Sequence, residues 1–408
     1  MFVFSKNNRK LFEMNTIVLS DFASVNSVLT SIEDSSVTNE DMSNLSVITE
    51  LESGIGESDE SPLIYGMILG KPYIFKAFQA NNKIEVATAE KIEWAYSYTT
   101  EQGVISGIFQ DAKEFTVSLT INTANVCGRY LTIFAFMQDR KIQASIKIWV
   151  HFRFRYFSRT TIKKEIGKRL VQPYLISQNA TSLCGMAAVF YLFAKTFPVD
   201  YQEIALELYR KGEVTRNKYT IKPHSSMYEV EPVSKNKNYP GFRKYADGSL
   251  MKQPELMPQA DWVVLASARS SLSYLGYNGK AGEDFKAINW GRIVKKLLKD
   301  FFGYSSVLDK TSFYTGFNYK ETLLEIQKDF LAGYQLIFLI DSNMLSDKVT
   351  YIGNAVNWHY IVYEGDLFFD QDKNYQFSFY SWGKIFKNQS IRSSVFNSTF
   401  YGYYKIKT

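Results

Sequence analysis

Cysteine and histidine are scarce in this chain of 408 residues: two cysteines, Cys127 and Cys184, and three histidines, His151, His224 and His359. Two cysteines cannot build a disulfide framework or a four-cysteine zinc site. So few imidazoles also exclude a multi-histidine metal centre, and the sequence implies no metal and no cofactor. Apolar runs are short, none near the roughly 18 residues needed to cross a bilayer, which argues against membrane insertion. Met1 to Lys10 lack the apolar stretch and small-residue cleavage site of a secretory signal. What remains is a soluble chain with at most one cysteine–histidine site. At 46% hydrophobic and 22% charged it has ample material for a core, and its length suits two domains. Aromatics reach 16%, with 28 Tyr and 31 Phe against 6 Trp, a balance that favours β-structure.

Positive charge is nearly missing from the start of the chain. Residues 1–70 hold three basic and eleven acidic side chains, leaving 44 basic and 30 acidic for the rest, so balances of −8 and +14 hide behind the net +6. The basic residues are dispersed, apart from pairs such as Lys163-Lys164 and Lys295-Lys296. That spread predicts a solvated surface and no nucleic-acid groove. Residues 33–62 are acidic, serine-rich and poor in aromatics, and residues 1–61 are expected to form a flexible acidic N-terminal segment, with a short docking helix over 16–32.

Periodicity then changes. Lys91 to Tyr98, Phe115 to Ile121, Tyr130 to Met137 and Ile142 to Val150 alternate or are β-branched, and Gly103, Gly107, Asn122 and Gly128 punctuate them. The pattern predicts an Ig-like β-sandwich over 62–152. Cys127 falls in a turn as an inert small residue, and His151 is expected on the surface between basic neighbours. From 160 onward the pattern mixes. Helical spacing marks 183–195, 199–211, 261–275, 288–302 and 322–331, with a polar surface excursion over 212–258. Buried or paired strands are expected at 335–341, 359–363 and 375–382. Helices followed by antiparallel strands predict a second, α+β domain over 160–408.

The chemistry concentrates in Gln178-Asn179-Ala180-Thr181-Ser182-Leu183-Cys184-Gly185. Cys184 opens a helix, where unpaired N–H groups and the helix dipole favour a thiolate. Gln178 could fold back and, with the Cys184 N–H, form an oxyanion hole. A base is then needed. His151 and His224 lie at a domain end and in the irregular excursion. His359 opens a buried strand, a rigid mount for a catalytic group.

Gln-x5-Cys-Gly at a helix start, with a histidine far downstream on a β-hairpin, resembles the papain-like cysteine peptidases. Tyr380-Ser381-Trp382-Gly383 is similar to that family's Asn-Ser-Trp-Gly motif. The resemblance covers about residues 170–408. It implies a papain-like α+β fold, with Gln178 as oxyanion donor, Cys184 as nucleophile and His359 as general base. Where the family has the asparagine that orients the histidine, this chain has Tyr380. Tyr380, Ser381 or a nearby carboxylate could fill that place, or the site could be a dyad.

A β-sandwich ahead of such a domain resembles bacterial polymorphic toxins delivered by contractile injection systems of the type VI kind. Gln259 to Arg269 and Ile288-Asn289-Trp290 are also similar to inserts in toxin peptidases. This second resemblance implies a toxin effector used in bacterial competition and secreted without a signal peptide into a target cell. A secretion-spike component and a cognate immunity protein would be its partners, and a protein or peptide its substrate. The rival readings are a peptidoglycan amidase or glutamine deamidase on the same fold, and a binding protein whose cysteine domain is inactive.

Overall fold

The computed structural model describes residues 16–19, 44–58, 62–78, 92–109, 112, 114–137, 143–245, 247–288, 291–312, 318–345, 358–372 and 374–408. The chain divides into two units, Met1–Arg155 and Tyr156–Thr408.

The N-terminal unit is β-rich. Its strands are β1 (Thr16–Leu19), β2 (Asn44–Val47), β3 (Glu52–Gly54), β4 (Ile64–Ile68), β5 (Pro72–Phe78), β6 (Ile92–Thr100), β7 (Gly103–Phe109), β8 (Thr116–Ile121), β9 (Arg129–Met137) and β10 (Gln143–His151). Among the described residues they form two sheets, in the orders β1-β8-β5-β2 and β3-β4-β10-β9-β6-β7. Alternation decides which side chains turn inward: Tyr73, Phe75 and Ala77 from β5, Trp94, Tyr96 and Tyr98 from β6. Inward residues of both sheets, with Val117 and Leu119 from one and Leu131 and Ile133 from the other, pool into a single hydrophobic cluster.

Three sequence expectations change here. Part of the acidic segment expected to be flexible over 1–61 is strand: β1 runs parallel to β8, β2 pairs with β5 and β3 with β4. Sheet pairing offsets a poor hydrophobic content because each strand fills backbone groups its neighbour would otherwise leave open. Ile17 and Leu19 are also buried in the core. Most of the helix expected over 16–32 lies outside the described residues, and its first four positions are β1. His151, expected at the surface, is 1% exposed. It ends β10, where Gly54 and Gly66 leave the volume its ring occupies.

The C-terminal unit mixes helices with sheets. Helix α1 (Arg159–Val171) starts on Ser158, whose Oγ accepts the Thr161 N–H. Helix α2 (Cys184–Thr196) is buried at every position from Cys184 to Ala194 and packs on the sheet. Helix α3 (Pro198–Lys211) is amphipathic and ends on Gly212 at φ 77°, a left-handed stop that glycine takes without strain. Residues 259–271 and 291–301 are helical with a wider π-turn in each, and a further helix spans Tyr319–Leu331. The expected excursion over 212–258 is built in. It holds the hairpins β11 (Val214–Arg216)–β12 (Tyr219–Ile221) and β13 (Gly241–Lys244)–β14 (Leu250–Leu256), and buries Ile221, Met227 and Tyr239.

The large sheet of this unit contains β15 (Ser306–Thr311), β16 (Gln335–Asp341), β17 (Trp358–Tyr363), β18 (Phe368–Phe369), β19 (Asn374–Ser381), β20 (Lys384–Arg392) and β21 (Phe400–Lys407). Its order is β15-β21-β16-β17-β19-β18, with β20 also on β19. Trp382 and Gly383, at φ 45° and 74°, make the two-residue loop between β19 and β20. Positive φ at both positions matches the right-handed twist of a tight hairpin. That loop carries the aromatic ring that reaches the candidate site.

Candidate active site

Cys184 is the first residue of α2, and Leu183 before it offers no side-chain cap. The thiol, 6% exposed, faces β17. Its sulfur lies 4.0 Å from the Trp358 carbonyl oxygen, to which the thiol donates, and the Tyr360 N–H is directed at the sulfur. These two backbone groups flank His359. Among the described residues β19 pairs with β17 at Val362 and Tyr363, which leaves the first residues of β17 to the start of α2. On its other side His359 is registered with Ile340 of β16. The structure thus brings two of the three sequence-predicted site residues to one short stretch of strand.

His359 is 4% exposed. Its Nε2 is 2.7 Å from the Ser381 Oγ, and its ring stacks on Trp382 with centroids 4.4 Å apart and planes 19° from parallel. The tautomer decides which group donates: with the proton on Nε2 the ring donates to Ser381 and Nδ1 carries the lone pair a base requires, and with the proton on Nδ1 the Ser381 hydroxyl donates to Nε2. Of the two candidates for the third position, Ser381 is the one whose side chain meets the imidazole. Tyr380, on the opposite face of β19, turns away from it. Its hydroxyl donates to the Ile176 carbonyl at 2.5 Å and its ring stacks on Tyr191 at 3.9 Å.

Gln178 lies in the loop that leads into α2 and is buried. Its Nε2 donates to the Thr181 carbonyl at 2.7 Å, while the Thr181 hydroxyl donates back to the Gln178 carbonyl at 2.6 Å. One amide N–H is therefore spent within the loop. His224, the remaining imidazole, is exposed and caps the turn Ser225–Glu229 through Ser226. Cys127 and His151 belong to the other unit.

Burial controls protonation at this site. It pushes the Cys184 thiol up to about 11, against the opposing N–H groups of Tyr360, Gly185 and Cys184 itself. Burial likewise pulls the His359 imidazole down to about 3. Near neutral pH both groups are uncharged. The sequence expectation of a thiolate held by the helix terminus is corrected at this point: loss of water around the sulfur outweighs the first-turn N–H groups. A cleft of about 260 Å³ in this unit is lined by Tyr219, Tyr274, Arg292 and Lys296, and includes none of the site residues.

No protein-family model, no curated protein and no solved structure matches the chain. Among the described residues no three histidine, cysteine or carboxylate side chains gather as a metal site, and no helix is long and apolar enough to cross a membrane.

Sequence reasoning missed the backbone of Trp358 and Tyr360 as the seat of the sulfur, because backbone contacts leave no residue-type signature. It also missed Asp261. A single carboxylate immediately before the apolar run Trp262-Val263-Val264-Leu265-Ala266 was a signal available to it, since a charge beside a buried run needs a partner.

Proposed function

We propose that the C-terminal unit is a papain-like thiol hydrolase that cleaves an amide bond of a protein or peptide through Cys184. The observation that carries this reading is the seating of the Cys184 sulfur against the backbone on both sides of His359, whose Nε2 is tied to Ser381. In the resting site the pair is neutral thiol and neutral imidazole. As the sulfur attacks the substrate carbonyl, its proton passes to His359 Nδ1, and the carbonyl oxygen takes the negative charge. Gln178 and the Cys184 N–H would face that oxyanion. The tetrahedral adduct collapses to a thioester, the leaving amine takes the proton from His359, and water then releases the acid. Ser381 keeps the ring oriented, and Trp382 covers it from solvent.

The two-sheet N-terminal unit fits an Ig-like adaptor, and its position ahead of the hydrolase supports a toxin effector delivered by an injection machine. That setting rests on resemblance alone. A second reading, an inactive binding domain, is favoured by one observation: both reactive groups are buried and uncharged. Incubation of the full chain with a mixed library of dipeptide 4-nitroanilides, followed by mass spectrometry, separates the two. A hydrolase releases nitroaniline and carries an acyl group on Cys184. Cys127→Ala should retain both signals and Cys184→Ala should lose both. Absence of turnover in the unsubstituted chain, or acylation at Cys127, would sink the assignment.

A further inference from the structure

The loop that carries Gln178 is held at the two residues just before it, each by a different buried side chain. The Ile176 carbonyl accepts the Tyr380 hydroxyl at 2.5 Å. The Ser177 N–H donates to Asp261 Oδ2 at 2.9 Å. Asp261 is fully buried and is gripped by Arg169 through two bonds of 2.6 Å, from Nε to Oδ1 and from Nη2 to Oδ2. Burial pushes this carboxyl up, Arg169 and the Ser177 N–H pull against it, and the two-pronged geometry is that of a carboxylate.

The two holds differ in where they lead. Arg169 and Asp261 tie the loop to α1 and to the helical segment 259–271. Tyr380 ties it to β19, next to the serine that holds His359. The tyrosine ring is 1% exposed and clasped against Tyr191, whose hydroxyl donates to Glu364. The neighbouring turn also closes on the loop: a Cβ at Gly383 would stand 3.0 Å from that of Ser177. A residue that only filled space here would need no hydroxyl, and burying one costs free energy unless it is bonded.

We propose that Tyr380 is a positioning residue that sets the register between the Gln178 loop and the strand bearing Ser381, so that oxyanion donor and base move as one body. This rests on the hydrolase reading above. Tyrosine at a place where the resembling family orients its histidine through asparagine then has its own task, because adjacent strand positions face opposite ways and Ser381 has taken the histidine.

The experiment uses Tyr380→Phe in the full chain, which keeps the ring and its stacking and removes the hydroxyl alone. Three quantities are measured: kcat and KM on a dipeptide 4-nitroanilide that the unsubstituted chain hydrolyses, the rate of Cys184 alkylation by iodoacetamide at pH 9, and the melting temperature. A positioning role lowers kcat by about ten- to hundredfold, part of what loss of an oxyanion donor costs, with KM and alkylation within twofold of the parent. Alkylation involves no oxyanion, so it is insensitive to the loop. An unchanged kcat with a lowered melting temperature makes the bond purely structural and overturns the proposal. Parallel loss of kcat and alkylation also overturns it, since the whole site has then collapsed. Where Tyr380→Phe does not accumulate as folded protein, Gly383→Ala places a Cβ 3.0 Å from that of Ser177, pushes the turn after β19 against the same loop and is read by the same split. If the unsubstituted chain turns over nothing, the hydrolase reading fails and takes the positioning role with it. Retained kcat in the variant of an active chain removes the positioning role alone.

Discussion

The N-terminal unit carries Cys127 and His151, the C-terminal unit Cys184 and His359, and all four are at most 6% exposed. In the N-terminal unit the two residues serve packing. Cys127 ends the 3-10 turn Ala124–Val126 and sits in the hydrophobic cluster. His151 Nε2 bonds the Glu52 carbonyl at 3.1 Å, and a Cβ added at Gly54 or Gly66 would come within 2.9 or 2.8 Å of the ring. The imidazole supplies the bulk those glycines lack. In the C-terminal unit the cysteine opens a helix, and its sulfur meets the strand that bears the histidine. Burial is therefore no marker of a site. What sets Cys184 and His359 apart is that the helix start and the strand share backbone contacts, from the Trp358 carbonyl and the Tyr360 N–H to the sulfur.

The widest gap between the two units should appear on removing each histidine. His359→Ala is expected to lower turnover by about 10²–10⁴-fold, the range for a general base. His151→Ala should leave turnover within twofold, measured at a temperature where both proteins are folded. Equal losses in the two variants would erase the distinction drawn here. The opposite outcome, with His151 the sensitive one, would move the site to the other unit.

Acid should act on both histidines in the same direction and to different depths. Burial places the folded His359 near 3 and His151 near 4, while an unfolded chain protonates each near 6.5. Between those values the unfolded state holds the extra proton. Stability linked to each ring is complete above 6.5 and is lost as pH falls toward the folded value. The full loss amounts to about 5 kcal/mol for His359 and about 3 kcal/mol for His151 at 1.36 kcal/mol per unit. Urea unfolding from pH 7 to 3.5 checks it. Replacing either histidine by Gln should flatten the curve between 6.5 and 4, and only the His359 variant should still differ in slope below 4.

Much of the C-terminal unit was legible because its signals are local. The apolar run after Leu183 announces α2, Gly333 ends the Tyr319–Leu331 helix near where periodicity stops, and Gln335 to Asp341 reads as a buried strand. The N-terminal boundary was not legible. Asn44-Leu45-Ser46-Val47 and Glu52-Ser53-Gly54 are short and polar, and they are strands only because β5 and β4 offer open edges. That information lies in the partner, not in the segment. The same limit applies at the site. Helix start, glutamine and histidine strand each have a local pattern, whereas the neutral state of Cys184 depends on everything packed around it. Ser381 and Tyr380 could be separated only once the face of β19 was known.

The finest distinction is between those two neighbours. Ser381→Ala removes one neutral hydrogen bond to His359 and leaves Trp382 stacked on the ring. A bond of that kind is worth about 0.5–1.5 kcal/mol, so kcat should fall by about two- to tenfold. The effect should be visible in the tautomer of the ring as well. In the tautomer the proposed mechanism uses, Ser381 accepts from Nε2–H, and without that acceptor the ring can shift toward the other tautomer. Chemical denaturation should show a loss of about 1–3 kcal/mol at pH 7, since the buried Nε2 is left without its partner. A ring-nitrogen NMR spectrum of ¹⁵N-labelled protein should show His359 shift from a single Nε2–H form toward a mixture. An unshifted spectrum with unchanged kcat would mean that Trp382 stacking alone orients the imidazole. Ser381 would then be no part of the site, and the helix–strand pairing of Cys184 with His359 would stand as a dyad.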